Sequence, residues 1–521
     1  MSMAGDGSMK IVHVMAIQGG TSVTGIAAFI KHLPEAVVAT FSRHPRMRVI
    51  QVRDEFAMAE VQPMITLETI AEKKLLEIRE VKHDDSENWE TFAEVQSNIP
   101  FDRYSQLPWF VRAWHYPALN RVRLMVLSDH YMSDGISGLV VMNDIVTFAS
   151  SASQQLEPDI VCALPLRPSL YEMWLEPHKW TLRFRRWAIK LFGKAIFKSE
   201  IRSFTPVIQP RSDQADFAIP LKINSSSALF GQGTPENMDK ALRRCKEEDV
   251  TFFGALTAAA ILAYYLGSEQ DKKNTESSPS TKNKPFKLTI DFDFNMRKRV
   301  PFPVEEDSVG AYLATSTLES LRKQGVDFDT TGFWDLARSC KTELDNLLES
   351  FMAPLTMVFL DEFVHSETQP ELAKEIPTPY SISSDVNLSN IGKYPYKLTH
   401  TFGTTSAPVA PAAGEKSVSS CNTEELRIES VHVYNSNPHL GSSAILYVTS
   451  TDKFNYSMMY KYEPEDAKRV FAAFAMCIER IGEVTRGETM AQVAEFVAES
   501  VKTERQLSSG KGSELTYPNL C

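Results

Sequence analysis

An apolar strand that runs through a polar turn into an apolar helix is the feature that most restricts this chain. Arg121-Val122-Arg123-Leu124-Met125-Val126-Leu127 gains apolar character toward its end and reads as a strand. It stops at His130; the turn residues Ser133-Asp134-Gly135 follow, and Ser137–Ala149 is mostly apolar and helical in length. By itself such a strand–turn–helix is an ordinary α/β connection.

The same alternation recurs along the chain. Strands are expected at 10–17, 47–53 and 73–81, with helical stretches at Ile26–His32 and Trp89–Gln96. Residues 151–178 are punctuated by proline and read as irregular. Later strands are expected at Phe217–Ile223, Phe286–Phe294, Ile428–Val433, Ser443–Ser450 and Phe454–Tyr460, and Pro464–Arg480 reads as the closing helix. Asp239–Gly267 reads as two helices broken near Val250. Its second half, Val250–Gly267, is 18 residues without a charge. That reaches the lower limit for a membrane span, but five alanines, two threonines and two glycines favour a buried helix.

A chain of 521 residues has room for two to four domains or two large lobes. Mixed α/β in two lobes, each a mixed β-sheet flanked by helices, is the most economical architecture. The division is expected near residue 205: a first lobe over 1–205 and a second over 206–521, with flexible inserts near 268–285 and 403–421.

Composition narrows the partners. Acids outnumber bases, 66 to 55, for a formal charge of −11, so a whole-protein basic footprint for nucleic acid is absent. Six scattered cysteines form no CxxC pair and no zinc spacing, which suits a reducing, cytoplasmic setting and gives no metal site. The N-terminus lacks a basic region followed by an apolar core, and no transmembrane segment is expected.

Several familiar signatures fail. Gly20-Thr21-Ser22-Val23-Thr24-Gly25 has the glycine spacing of a phosphate loop, but Ile26 and Ala27 stand where Lys and Ser/Thr are required. GxGxxG after a strand, HExxH and GxSxG are all missing. What remains is His130-Tyr131-Met132-Ser133-Asp134-Gly135. Among eleven histidines only His130 has an aspartate four residues later. A histidine ending an apolar strand sits at a sheet edge or interface, where a cleft can form, and the ordinary imidazole pKa of ~6.5 suits proton transfer at neutral pH. Gly135 permits the turn geometry. Taken alone, a bare His-x-x-x-Asp is more often a hydrogen-bonded strand-end histidine than a base.

With Ile136-Ser137-Gly138 following, the segment resembles the HxxxDG signature of the acyl-thioester-dependent acyltransferase superfamily. That group includes chloramphenicol acetyltransferase, alcohol acetyltransferases, polyketide-associated acyltransferases and peptide-synthetase condensation domains. Arg43-His44-Pro45-Arg46-Met47-Arg48 resembles the RHxxLR segment, whose last arginine pairs with the motif aspartate; the resemblance thus makes Arg48 the partner of Asp134. Asn295-Met296-Arg297-Lys298-Arg299, Ser308–Tyr312 and Ser389-Asn390-Ile391-Gly392 resemble the N-x-R-x-R, G-x-Y and S-N-x-G stretches. The matches occur in the family's order over roughly residues 10–485.

Two departures stand out. Condensation domains usually have two adjacent histidines, and Asp129 occupies the first place here; the plant-type DFGWG segment is absent. The resemblance implies a chloramphenicol acetyltransferase-like fold with its active site at the lobe interface and His130 as general base. Asp134 and Gly135 would shape the turn, with Asn390, Asn295 and Arg297 as substrate or oxyanion candidates. The donor would be acyl-CoA or an acyl carrier protein's thioester, as co-substrate and not as a bound cofactor. The acceptor would be a hydroxyl of a small or lipid-like metabolite. Amide-forming transfer, or a silent ligand- or partner-binding relative, is the alternative.

Trp180–Arg202 stands apart. Trp180, Phe184, Trp187 and Leu191 fall at i, i+4, i+7 and i+11 on one stripe, with Arg183, Arg186, Lys190 and Lys194 one step round. The expectation is a connector whose aromatics are packed. Peripheral membrane contact through 180–202 is the alternative, and such a patch could also meet the phosphates of CoA.

Overall fold

Lys10–Gly19 is an almost unbroken apolar run, buried along nearly its whole length, as expected of a strand with a neighbour on each side. The computed structural model describes residues 10–52, 58–82, 88–99, 101–155, 162–175, 177, 179–193, 195, 204–211, 226–274, 284–300, 304–349, 382–404, 422–436 and 441–510. The chain falls into two units. The first comprises Met1–Ser169, Val304–Tyr312 and Lys393–Asn435; the second comprises Leu170–Pro303, Leu313–Gly392 and Ser436–Cys521. The division is therefore not a single cut near residue 205: the first crossing comes after Ser169, and two later segments return to the first unit because they pack on its sheet and motif.

In the first unit, β1 (Lys10–Gly19) is followed by the short pair β2 (Val49–Gln51) and β3 (Ala59–Val61), then by β4 (Leu76–Glu80), β5 (Trp109–Tyr116) and β6 (Arg121–Asp129). The expected strand at 73–81 is thus present; β5 had no counterpart in the sequence reading. Two strands from late in the chain, Thr399–Thr404 and Asn422–Asn435, complete a six-stranded mixed sheet. Its order is Thr399–Thr404, Asn422–Asn435, β1, β6, β5, β4. Only β4 and β5 are parallel; the other pairs are antiparallel.

Helices α1 (Thr24–Arg43), α2 (Leu67–Glu72), α3 (Trp89–Ser97) and α4 (Gly135–Ser153) belong to this unit. Successive strand side chains point to opposite faces. His13 packs under Gly138 of α4. On the other face His432, opposite Val14 in register, lies with its ring centroid 5.6 Å from that of Trp89 in α3. Helices thus flank both faces. Among the described residues, α4 is the helix long and apolar enough to cross a membrane, and its apolar side chains are buried against the first unit.

The second unit carries β7 (Ser227–Gln232), β8 (Ile290–Asn295), β9 (Leu313–Thr317) and β10 (Ile382–Lys393). Continuing in chain order, the strands at Thr399–Thr404 and Asn422–Asn435 are β11 and β12; β13 (Gly441–Ser450) and β14 (Phe454–Tyr460) return to the second unit. Its sheet has the order β7-β14-β13-β10-β8-β9, with β8 and β10 parallel. The helices are α5 (Leu170–Leu175), α6 (Lys179–Ala188), α7 (Pro235–Glu247), α8 (Phe252–Asn274), α9 (Glu319–Lys323), α10 (Phe333–Glu349), α11 (Pro464–Arg480) and α12 (Met490–Gly510).

The two helices expected over Asp239–Gly267 are α7 and α8, bent by 108° at the break. From Ala255 to Tyr264 the side chains of α8 are buried, so the uncharged run is a core helix packed on α10 and α11. It extends to Asn274, into the insert expected from 268. The expected strand at 217–223 and most of the stretch 403–421 lie outside the described residues. Pro464–Arg480 is helical but not last, since α12 follows. The connector reading of α6 is overturned on one point: Trp180, Phe184 and Trp187 are exposed, at 79%, 73% and 55%.

Candidate active site

Lys10 of β1 pairs with Asp129 at the end of β6, so His130 is the first residue past the sheet. The turn that follows is closed by its own groups. Met132 N–H donates to the Asp129 carbonyl at 2.9 Å, and Ser133 Oγ to the same carbonyl at 3.1 Å. Ser128 and Ser133 hydroxyls lie 2.6 Å apart. In this setting His130 is half-buried, with Nδ1 2.9 Å from the Ser133 carbonyl. A carbonyl only accepts, so Nδ1 carries the proton and the neutral ring presents Nε2 as its basic nitrogen. Nε2 has no hydrogen-bond partner among the described residues.

Asp134 is held from two directions. As N-cap of α4 its Oδ1 accepts from Ser137 N–H and Ser137 Oγ, both at 2.8 Å, which satisfies an otherwise orphaned donor of the first turn. Its Oδ2 accepts from Tyr312 N–H at 2.9 Å. The Ser137 Oγ in turn accepts from Gly310 N–H at 3.0 Å. The Ser308–Tyr312 stretch is therefore clamped onto the motif by Asp134 and Ser137.

Arg48 is not the partner of Asp134. Its Nε donates to the Phe41 carbonyl at 3.1 Å and its Nη1 to the Gln62 carbonyl at 2.5 Å. Arg48 lies in a short 3-10 turn after α1, which turns its guanidinium onto the end of that helix, and burial lowers its pKa. It closes the loop between α1 and β3. The other two residues of the segment do reach the motif helix: Arg43 Nε and His44 Nε2 both bind the Asp144 carboxylate, at 2.9 and 2.8 Å. The Arg-His pair ties the end of α1 to the middle of α4.

Asp129, the residue that departs from the condensation-domain pattern, is buried with Arg103 in a two-point ion pair of 2.8 and 3.3 Å. Its Oδ1 also accepts from Tyr131 N–H at 3.0 Å. The carboxylate anchors the turn from beneath, and its charge is compensated by a guanidinium of matching fork geometry.

The sequence reading missed His13. This β1 side chain is fully buried, with Nε2 2.9 Å from the Gly135 carbonyl, so Nε2 donates. Its Nδ1 has no partner among the described residues. Burial lowers its pKa to about 4; the Gly135 bond and Asp134 oppose that shift and His130 adds to it. A side chain at Gly138 would bring Cβ within 2.1 Å of the His13 ring. A glycine one turn into a helix costs about 1 kcal/mol relative to Ala, so Gly138 was the available signal that something crowds α4 there.

The remaining candidates lie in the second unit. Asn295 ends β8, is exposed, and accepts from Arg297 N–H at 3.0 Å. Arg297 is 1% exposed, whereas Lys298 and Arg299 are exposed. Asn390 is half-buried near the end of β10, and its amide forms no hydrogen bond among the described residues. Among the described residues no cluster of three or more His, Cys, Asp or Glu is placed to hold a metal ion.

No family model and no curated protein sequence matches the chain. Solved structures do. The chain is similar to a trichothecene 15-O-acetyltransferase from Fusarium sporotrichioides, with a TM-score of 0.60 at 11% identity over 91% of each chain. It is similar to the first condensation domain of the calcium-dependent antibiotic synthetase, at 0.55 and 10% identity over 94% of each. Polyketide synthase associated protein 5 from Mycobacterium tuberculosis gives 0.52 at 13% identity, covering 94% of this chain and 100% of that one. Near-complete coverage in both directions makes the likeness one of whole architecture, two mixed sheets with their helices included. The chain has the fold of the chloramphenicol acetyltransferase-like and condensation-domain superfamily.

Proposed function

We propose that this protein is an acyltransferase that moves an acyl group from a thioester, acyl-CoA or a carrier-bound equivalent, to a hydroxyl of a small or lipid-like acceptor. The observation that carries the reading is His130: its Nδ1 is committed to the Ser133 carbonyl at 2.9 Å, which leaves Nε2 as an acceptor without a partner among the described residues. A thioester is already activated, so no covalent nucleophile is required of the enzyme. His130 Nε2 takes the acceptor's proton as its oxygen attacks the thioester carbonyl, and returns it to the departing thiolate. The step balances: a C–O bond forms, a C–S bond breaks, and one proton moves from oxygen to sulfur. A base so placed contributes ~10²–10⁴-fold, and positioning of the two substrates supplies much of the rest. Asp134 and Gly135 hold the turn and do not touch substrate. Cys162, Cys245, Cys340 and Cys477 are free, in keeping with a reducing, cytoplasmic setting.

The test is free-thiol release from a panel of acyl-CoAs, with and without pooled alcohols and amines. Acceptor-dependent release that falls at least tenfold in folded His130→Ala supports the proposal. Release with amines alone would move the reaction to amide formation. Unchanged turnover in a folded His130→Ala protein removes His130 as the base.

A further inference from the structure

Helix α6 continues as one turn of wider helix over Ile189–Gly193, and its side chains are arranged inside out for a packed connector. At 3.6 residues per turn, Trp180, Phe184, Trp187 and Leu191 share a face, and all four are more than half exposed. Phe192 is also exposed, at 58%. On the opposite face Leu182 is fully buried and anchors the helix. Phe184 and Trp187 rings lie 5.7 Å apart, tilted, so part of the stripe is a continuous aromatic surface.

Charge complements this face. Residues 179–193 carry five bases (Lys179, Arg183, Arg185, Arg186, Lys190) and no acid, in a chain of net charge −11. Arg183 and Lys190 are exposed and sit with Arg186 along one flank of the aromatic stripe. An apolar face with a basic flank is the pattern that lies in the plane of a bilayer surface, with aromatic rings at the headgroup boundary and cations on anionic headgroups.

We propose that α6 docks this protein on an anionic phospholipid surface, with Trp180, Phe184 and Trp187 inserted and Arg183, Arg186 and Lys190 at the headgroups. This goes beyond the acyl-transfer reading and does not depend on it.

The test is co-sedimentation of the full chain with phosphatidylcholine vesicles that contain or lack phosphatidylserine. Wild type is expected to sediment with the anionic vesicles at least tenfold more than with neutral ones, and to be released by salt. The triple variant Trp180→Ser, Phe184→Ser, Trp187→Ser keeps Leu182, so the protein is expected to melt as wild type while its vesicle binding drops at least tenfold. Charge reversal at Arg183→Glu, Arg186→Glu and Lys190→Glu supplies a second variant with the same expected loss, should the first not fold. The proposal is overturned if wild type fails to bind anionic vesicles at low salt, or if binding ignores both variants. A concentration-dependent dimer abolished by the triple variant, without vesicle binding, would overturn it equally and assign the stripe to self-association.

Discussion

Two histidines on neighbouring strands, one inside β1 and one just past β6, show how surroundings decide what a side chain does. His130 lies past the end of β6, half-buried, with one nitrogen fixed and the other open. His13 lies within β1, sealed, with one nitrogen donating to Gly135 and the other unpartnered among the described residues. Gly138 is where His13 meets the helix, because only the absence of a Cβ admits its ring. Gly138→Ala is therefore expected to destabilise the protein by about 1–3 kcal/mol through overpacking, and to move the Gly135–His130 turn with it. His13→Ala removes the ring that the new methyl strikes. The double variant should thus be more stable than the sum of the two single losses implies, by about 1 kcal/mol or more. Urea unfolding of the four proteins measures this; strict additivity would show that ring and helix do not press on each other. In the sequence a lone histidine in Val12-His13-Val14 looks like any satisfied core histidine. Its partner carbonyl is 122 positions away, and chain pattern carries nothing over that span.

At the scale of elements, what was legible follows from local periodicity, and what was not follows from long-range docking. The β6–turn–α4 unit is readable because strand alternation, turn residues and helix length all sit within one continuous stretch, Arg121 to Ser153. β5 is less so: Trp109–Tyr116 mixes buried and half-exposed aromatic, basic and apolar side chains, and its pattern does not separate from that of a loop. The Ser308–Tyr312 stretch has no regular structure to announce it, yet it closes the motif by donating Tyr312 N–H to Asp134. Arg48 was assigned to Asp134 on resemblance. Its covalent position on the short 3-10 turn instead aims it at the carbonyls of Phe41 and Gln62, and no spacing rule distinguishes those targets. Asp134→Asn tests the clamp: an amide offers one acceptor oxygen where the carboxylate uses two, so either the Ser137 or the Tyr312 N–H loses its partner. The expected cost is about 1–3 kcal/mol in thermal unfolding, with slower acyl transfer because the turn bearing His130 loosens. A variant as stable as wild type would show that the loop is held by other contacts.

Across the whole molecule the two units place buried ionisable groups of opposite sense. His13 in the first unit has its pKa lowered by burial to about 4. Between pH 6.5 and 4 the unfolded chain therefore binds a proton that the folded unit refuses, and stability falls as pH falls through that window. In the second unit Asp385 is raised to about 7 by burial, against the pull of the Val207 and Thr289 N–H donors. Asp291 is raised to about 6 by the same cause, opposed by Ser384 and Thr317. There the folded unit keeps protons that the unfolded chain releases above pH ~4, and stability falls as pH rises toward 7. At about 1.4 kcal/mol per unit of pKa, each group accounts for roughly 3–4 kcal/mol across its window. Thermal unfolding from pH 4 to 7 should separate them. The advantage of wild type over His13→Gln is expected to shrink as the solution is acidified, and its advantage over Asp385→Asn to shrink as the solution is made neutral. Two differences of opposite slope would place a histidine buried neutral in one unit and carboxyls buried neutral in the other. If both differences stay flat, His13 and Asp385 titrate in the fold as they do in the unfolded chain, and their burial has no protonic consequence.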